Sequence, residues 1–105
     1  MATAIDITPQ QMQIVKSILR LLLPEGTKVW AFGSRVKGIA KKFSDLDLAL
    51  ESRAGTTLES NLIFVLQSEF EESDLPGTVD VLDINTISPE FRKIIDQDKV
   101  ILALD

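Results

Sequence analysis

Two aspartates separated by one residue, Asp45 and Asp47, lie in a stretch whose alternating pattern predicts a β-strand over residues 45–51. Successive side chains of a strand point to opposite faces, so these two carboxylates project from the same face. Carboxylates that lie close together repel each other unless a cation lies between them. Hard divalent ions such as Mg²⁺ take oxygen ligands, commonly one or two carboxylates together with phosphate oxygens. The pair therefore indicates a metal-assisted site, although an edge strand with acidic outward positions would show the same pattern.

A Gly-Ser pair, Gly33-Ser34, ends the preceding predicted strand, and ten residues separate it from Asp45. Glycine lets backbone N–H groups approach a phosphate closely, and the serine hydroxyl adds a donor. A helical turn over residues 34–38 would also favour an anion at its N-terminus. An ordinary Gly-Ser turn is the alternative. The stretch is not a P-loop, because Ile39-Ala40 stands where that motif requires Lys followed by Ser or Thr.

Basic residues are concentrated between the serine and the aspartates. Four of the eleven Lys and Arg residues lie there: Arg35, Lys37, Lys41 and Lys42. A basic loop beside paired carboxylates suits a metal-bound triphosphate, because cations neutralise the phosphates and carboxylates hold the metal. A solvated turn rich in lysine is the alternative reading.

The composition restricts the chemistry further. The 105 residues include no cysteine and no histidine, which excludes thiolate nucleophiles, Ser-His-Asp catalysis and zinc sites built from Cys or His. A net charge of -5 disfavours direct nucleic-acid binding, which needs a basic face. No apolar run reaches the length of a membrane span, and the N-terminal residues do not read as a signal peptide. We therefore expect a cytoplasmic protein without membrane association.

Helices and strands are expected to alternate within one domain over residues 1–105. Thr8-Pro9-Gln10-Gln11 and Thr56-Thr57-Leu58-Glu59 each form a capping box that predicts the start of a helix. A third helix is expected to begin after Ser88. Strands are predicted over 28–32, 45–51, 78–84 and 100–104. The order α-β-β-α-β-α-β predicts one sheet packed against helices, an α/β or α+β layer fold.

The stretch around the Gly-Ser pair and the aspartates resembles a known family. Phe32-Gly33-Ser34-Arg35-Val36-Lys37-Gly38 followed by Ser44-Asp45-Leu46-Asp47 is similar to the signature of the minimal nucleotidyltransferases, of the DNA polymerase β-like superfamily. Lys37 replaces the more frequent arginine. The resemblance implies a single mixed sheet packed against helices.

The same resemblance implies a third carboxylate on a later strand. The segment Val79-Asp80-Val81-Leu82-Asp83 contains two candidates. The family pattern favours the first, Asp80. Asp83 has the opposite strand parity and is more simply explained as a residue of the turn that ends the strand.

The implied activity is Mg²⁺-dependent transfer of a nucleoside monophosphate, AMP from ATP, to a hydroxyl group. By resemblance, Asp45, Asp47 and Asp80 are the catalytic residues and hold two Mg²⁺ ions, while Gly33, Ser34, Arg35 and Lys37 bind the nucleotide. The acceptor would be a partner protein, a HEPN-domain toxin for which this chain is the antitoxin. An antitoxin of weak or lost activity that acts by binding is the alternative. Self-association into a homo-oligomer stays open.

Overall fold

The computed structural model describes residues 5–104, so the ends of the predicted domain, residues 1–4 and 105, lie outside the described part. Within it, four helices and four strands follow one another along the chain. They are α1 (Pro9–Leu22), β1 (Lys28–Phe32), α2 (Ser34–Lys37), β2 (Leu46–Glu51), α3 (Ser60–Glu71), β3 (Val79–Asp83), α4 (Pro89–Asp98) and β4 (Val100–Ile101).

The strands of the described chain form one sheet in the order β3-β2-β1-β4. β1 runs antiparallel to both β2 and β4, whereas β2 and β3 are parallel. This parallel pair is joined by a crossover through α3, as parallel neighbours require. The expected mixed sheet packed against helices is therefore confirmed.

One face of the sheet carries the hydrophobic core. Leu46, Leu48 and Leu50 of β2 are all buried, which confirms the register that their alternation predicts. They belong to the same cluster as Leu19 of α1 and Leu66 of α3. A shift of β2 by one residue would turn Asp47 into this cluster, so burial of the leucines fixes the outward direction of the aspartate.

The opposite face is covered in part by α4. Phe91 of this helix meets Phe32 of β1 in an edge-to-face contact, with ring centroids 6.2 Å apart. The Lys99 ammonium at the end of α4 lies 4.4 Å from the centre of the Trp30 ring. The part of this face near Asp80 is exposed, which leaves room for chemistry there.

The first helix begins as predicted. The Thr8 side chain accepts a hydrogen bond from the Gln11 backbone N–H, and the Gln11 side chain accepts one from the Thr8 backbone N–H. Both halves of the predicted capping box are present.

The second predicted capping box is wrong. α3 begins at Ser60, with Glu59 as its N-cap and without a side-chain capping bond. The Thr56 carbonyl accepts instead from the Ser52 hydroxyl, 2.5 Å away, and the Leu58 N–H donates to Asp83. Residues 56–58 are thus held against the ends of the neighbouring strands and cannot start the helix.

Three strands are also shorter than predicted. β2 and β3 are each shorter than expected, and Asp45 immediately precedes β2. β4 ends at Ile101 rather than at residue 104. Leu102 remains buried and its N–H still donates to the Val29 carbonyl, 2.8 Å away, so the segment stays close to β1 after regular pairing ends. No helix within residues 5–104 is long and apolar enough to cross a membrane.

Candidate active site

A row of side chains crosses the outer face of the sheet. Phe32 of β1 pairs with Asp47 of β2, which in turn pairs with Asp80 of β3. Paired residues of neighbouring strands point to the same face and lie about 4.8 Å apart along the row. The structure therefore places Asp47 and Asp80, predicted from two separate parts of the sequence, side by side.

The Asp47 carboxyl is surrounded by features that oppose its ionisation. Burial raises its pKa most, and the negative charges of Asp80 and then Asp45 raise it further, to about 6. The side chain is half-buried, whereas Asp80 is exposed. A nearby cation would therefore favour the ionised form of Asp47.

The Gly-Ser turn lies against this same carboxylate. Gly33 has φ +81°, and a Cβ atom placed on it would lie 2.3 Å from Asp47 Oδ2. Any side chain at this position would displace the carboxylate, so glycine is required both for the backbone conformation and for the close approach. Ser34 begins the four-residue helix α2 directly after the turn. The predicted phosphate-binding turn and the predicted metal-binding residue are in contact.

Asp45 lies near Asp47 but forms its hydrogen bond elsewhere. The Thr78 hydroxyl, at the start of β3, donates a hydrogen bond to Asp45 Oδ1. Within residues 5–104, no three acidic side chains converge closely enough to hold one metal ion. Asp47 and Asp80 therefore form the preassembled part of the site, and Asp45 would have to turn from Thr78 to join them.

Arg35 is engaged with backbone carbonyls. Its guanidinium donates to the Ser44 carbonyl at 2.9 Å and 3.2 Å, and to the Asp6 carbonyl at 2.9 Å. Longer contacts of 3.4 Å and 3.3 Å reach the carbonyls of Lys41 and Lys42. Arg35 thus fixes the loop of residues 38–45, called the basic loop below, through the carbonyls of Lys41, Lys42 and Ser44.

The lysines around the site are more exposed. Lys37 Nζ lies 3.6 Å from Asp98 Oδ2, which connects α2 to the end of α4 at the surface. Lys41 and Lys42 are exposed on the basic loop. An exposed lysine ammonium group could leave its present contacts and bind a phosphate group at little cost in free energy, because exposed ion pairs contribute little to stability.

Asp83 has the structural role expected from its strand parity. It is 4% exposed on the core side of the sheet. Its carboxylate accepts hydrogen bonds from the N–H groups of Leu58, at 2.6 Å, and Asn85, at 2.9 Å. Asp83 therefore fixes the loop before α3 and takes no part in the row that contains Asp80.

Thr78 and Gln67 form hydrogen bonds beside the candidate residues and were not predicted from the sequence. Thr78 could have been identified once β2 and β3 were assumed to be parallel, because the register that pairs Leu46 with Val79 places Thr78 beside Asp45. Gln67 binds the backbone on either side of Asp80. No sequence pattern connects a helical glutamine to a strand twelve residues away.

The residues present fit a magnesium ion bound together with a triphosphate. Asp47 and Asp80 would supply carboxylate oxygens, and the absence of a side chain at Gly33 lets the turn lie directly against Asp47 Oδ2. Magnesium is commonly held by one or two carboxylates with the remaining positions taken by phosphate oxygens and water. Burial and the neighbouring negative charges raise the pKa of Asp47, and a bound cation would offset this effect by stabilising the carboxylate.

Comparison with known proteins identifies the class to which this fold and site belong. The family model described as polymerase beta, nucleotidyltransferase matches residues 13–105. The chain therefore belongs to the polymerase beta nucleotidyltransferase family, and the resemblance seen in the sequence is confirmed.

A named relative lies within this family. The chain is 50% identical over 102 residues to the "Probable protein adenylyltransferase MntA" of Haemophilus influenzae, an alignment that covers 93% of this chain and 83% of the relative.

Solved structures share the fold. A crystal structure described as a toxin-antitoxin with AMP-PNP superposes with a TM-score of 0.72 at 23% identity, covering 88% of this chain and 72% of the other. One described as the toxin-antitoxin MntA-HepT superposes with a TM-score of 0.66 at 20% identity, covering 91% and 72%.

Proposed function

We propose that this nucleotidyltransferase transfers AMP from ATP to a hydroxyl group of a HEPN-domain partner and so acts as the antitoxin of a toxin–antitoxin pair. The observation that carries the proposal is the contact between the Gly33 turn and the Asp47 carboxylate, in the same row as Asp80. This contact supports the proposal, in which the turn binds phosphate and the neighbouring carboxylates bind the metal. The relative named as a protein adenylyltransferase supports AMP as the transferred group.

The carboxylates hold magnesium in this proposal. Asp47 and Asp80 bind it directly, and Asp45 joins them after leaving the Thr78 hydroxyl. Bound Mg²⁺, two ions by family resemblance, would supply charge neutralisation of the triphosphate and stabilisation of the attacking and leaving oxygens. Carboxylates suffice for this chemistry, which agrees with a chain that has neither histidine nor cysteine.

In this proposal the nucleotide phosphates are bound by groups in and after the Gly33-Ser34 turn. Backbone N–H groups around Gly33 and the Ser34 hydroxyl donate to the phosphates. Lys37 leaves its surface ion pair to approach them, and Arg35 contributes its charge while it holds the loop. These donors orient the α-phosphorus for in-line attack.

The reaction exchanges one phosphorus–oxygen bond for another. The acceptor hydroxyl oxygen forms a bond to the α-phosphorus of ATP, and the bond from that phosphorus to the oxygen bridging to the β-phosphate breaks. Pyrophosphate leaves with the bonding electrons. The hydroxyl proton passes to the Asp80 carboxylate, which is exposed and therefore accessible to an incoming side chain.

The acceptor is proposed to be a protein, in the cytoplasm. Asp80 is exposed on the outer face of the sheet, where a side chain of another protein could reach it. The similar crystal structure of a toxin-antitoxin named MntA-HepT shows the same fold assembled with a partner. A partner of this kind would bring its hydroxyl to the outer face of the sheet.

The test is incubation of the chain with α-labelled ATP, Mg²⁺ and the HEPN-domain protein encoded beside it. We expect label on the partner with wild type and none with Asp45→Asn/Asp47→Asn. Asp83→Asn is the matched control, since this aspartate faces the core, and it should retain transfer in the folded fraction. Partner neutralisation that persists in the double variant without label would show an antitoxin that acts by binding and would overturn the catalytic proposal.

A further inference from the structure

The outer edge of β3 is closed by a side chain instead of another strand. β3 is the first strand in the order β3-β2-β1-β4, and no other strand within residues 5–104 pairs with its outer side. Gln67 of α3 donates from Nε2 to the Val79 carbonyl at 2.8 Å. Its Oε1 accepts from the Val81 N–H at 2.5 Å. These two backbone groups are the ones that flank Asp80.

A primary amide suits this position because it carries a donor and an acceptor, as a peptide group does. An edge strand presents unpaired N–H and C=O groups that must be satisfied by water or by another part of the protein. Gln67 supplies both partners from one side chain, as one peptide group of a neighbouring strand would. The backbone of Asp80 is held between two fixed points.

Asp80 depends on its backbone for its position. Its side chain is exposed, so packing does not restrain it. Asp80 and Gln67 line the same cavity of about 180 Å³, together with Phe70, Glu71, Leu75, Gly77, Thr78 and Val79. Without the glutamine amide, water in this cavity would compete for the backbone groups of the strand, and β3 would move relative to β2.

We propose that Gln67 is a positioning residue that keeps Asp80 in register with Asp47 by completing the edge of β3. The inference rests on the proposed function, in which Asp80 binds magnesium and accepts the hydroxyl proton. In this role Gln67 acts on Asp80 through the backbone of Val79 and Val81.

Three substitutions separate the contributions of the amide. Gln67→Leu keeps the size of the side chain and removes both hydrogen bonds. Gln67→Asn keeps the amide but is one methylene too short to reach both groups. Gln67→Glu keeps the acceptor for Val81 and loses the donor for Val79. Gln13→Leu, at an exposed position of α1, is the matched control.

The first measurement is steady-state transfer of AMP to the partner at varied ATP and Mg²⁺. Loss of a residue that orients a metal ligand typically costs about 10-fold to 100-fold in metal affinity or activity. For Gln67→Leu and Gln67→Asn we expect kcat to fall about 10-fold and the Mg²⁺ concentration for half-maximal rate to rise, with KM for ATP nearly unchanged. Gln67→Glu should lie between these variants and wild type.

The second measurement needs no catalysis. Amide hydrogen exchange on the full chain should show faster exchange at Val81 in Gln67→Leu, with the central amides of Leu48 and Ala49 still protected. Titration with Mg²⁺ alone, followed through the Asp47 and Asp80 amide resonances, should show weaker binding in the same variant.

The outcomes are distinct. Wild-type kcat and wild-type Mg²⁺ dependence in Gln67→Leu would overturn the positioning role. Faster exchange at Leu48 and Ala49 as well would also overturn it, since the residue would then stabilise the whole fold. A wild-type chain that transfers no AMP would contradict the proposed function, while the Mg²⁺ titration would still decide the role of Gln67.

Discussion

At the scale of single residues, ionisation of Asp47 lowers the free energy of unfolding of the protein. Its pKa is raised to about 6 by burial first and then by Asp80 and Asp45. Between the ordinary pKa of an aspartate and about pH 6, the folded state therefore binds a proton that the unfolded state has released. The free energy of unfolding falls as pH rises through this window and stays lowered above it.

Asp47→Asn should stabilise the metal-free protein while it abolishes transfer. At pH 8 the substitution removes a half-buried charge and its repulsion from Asp80, which we expect to add about 1 kcal/mol after allowance for solvent screening. At pH 5 the wild-type carboxyl is largely protonated and the difference should shrink. Urea unfolding in EDTA at both pH values measures it.

Asp83→Asn provides the opposite sign as a control. Its buried carboxylate accepts two N–H groups through two different oxygens, and the asparagine amide has one acceptor oxygen only. We expect a loss of about 1–3 kcal/mol because one N–H is then opposed by the new NH₂ group. A stabilised Asp83→Asn together with a destabilised Asp47→Asn would contradict this assignment of the two aspartates.

Gly33→Ala should lower both stability and activity. The added Cβ would lie 2.3 Å from Asp47 Oδ2 on a backbone with φ +81°, and such strain costs about 1–3 kcal/mol. Gly38→Ala is the matched control, because Gly38 has φ +75° but nothing within 4 Å of the added atom. Thermal unfolding should show losses for both variants. Only Gly33→Ala should also reduce the rate of AMP transfer in the folded fraction.

At the scale of elements, the sequence predicts the strands of the sheet better than the contacts between elements. Leu46, Leu48 and Leu50 determine which face of β2 is buried, and the same parity separates Asp80 from Asp83. The capping box does not predict the start of α3 correctly, because the Thr56 carbonyl accepts hydrogen bonds from the side chains of Ser52 and Asn85, which lie in two other segments. Such contacts involve backbone groups, which are the same for every residue type.

The role of Arg35 shows the same limit at the candidate site. Its position beside the Gly-Ser pair predicts a phosphate contact, whereas the structure shows its guanidinium bound to carbonyls of the basic loop and of Asp6. A planar fork of donors suits several carbonyls at once, and a sequence motif does not reveal which acceptors are near. The Arg35 side chain therefore carries a positive charge and also binds the backbone of the basic loop.

Arg35→Lys should loosen the basic loop although it keeps the charge. The lysine ammonium cannot reach the Ser44, Lys42 and Asp6 carbonyls together, so the loop should open more often. We expect trypsin to cleave after Lys41 and Lys42 several-fold faster than in wild type. Lys37→Met, which removes the exposed ion pair with Asp98 and none of the contacts of Arg35 with the loop, is the control and should leave this cleavage rate unchanged.

At the scale of the whole molecule, the residues that stabilise the fold and the residues of the candidate site lie on opposite faces of the sheet. Its inner face and the helices α1 and α3 form the core, while the outer face carries the row from Phe32 through Asp47 to Asp80. The repulsion within that row is tolerated because the core fixes the strands independently of it. The chain can therefore keep closely spaced carboxylates on this face, as the proposed site for metal and phosphate requires in a chain without histidine or cysteine.

The most direct test of nucleotidyl transfer compares two labels of the same substrate. The wild-type chain, its HEPN-domain partner and Mg²⁺ are incubated with ATP labelled either at the α-phosphate or at the γ-phosphate, and the partner is then isolated. The proposed reaction predicts label on the partner from α-labelled ATP only, with one pyrophosphate released for each AMP attached. Label from γ-labelled ATP, or none from either, would contradict it.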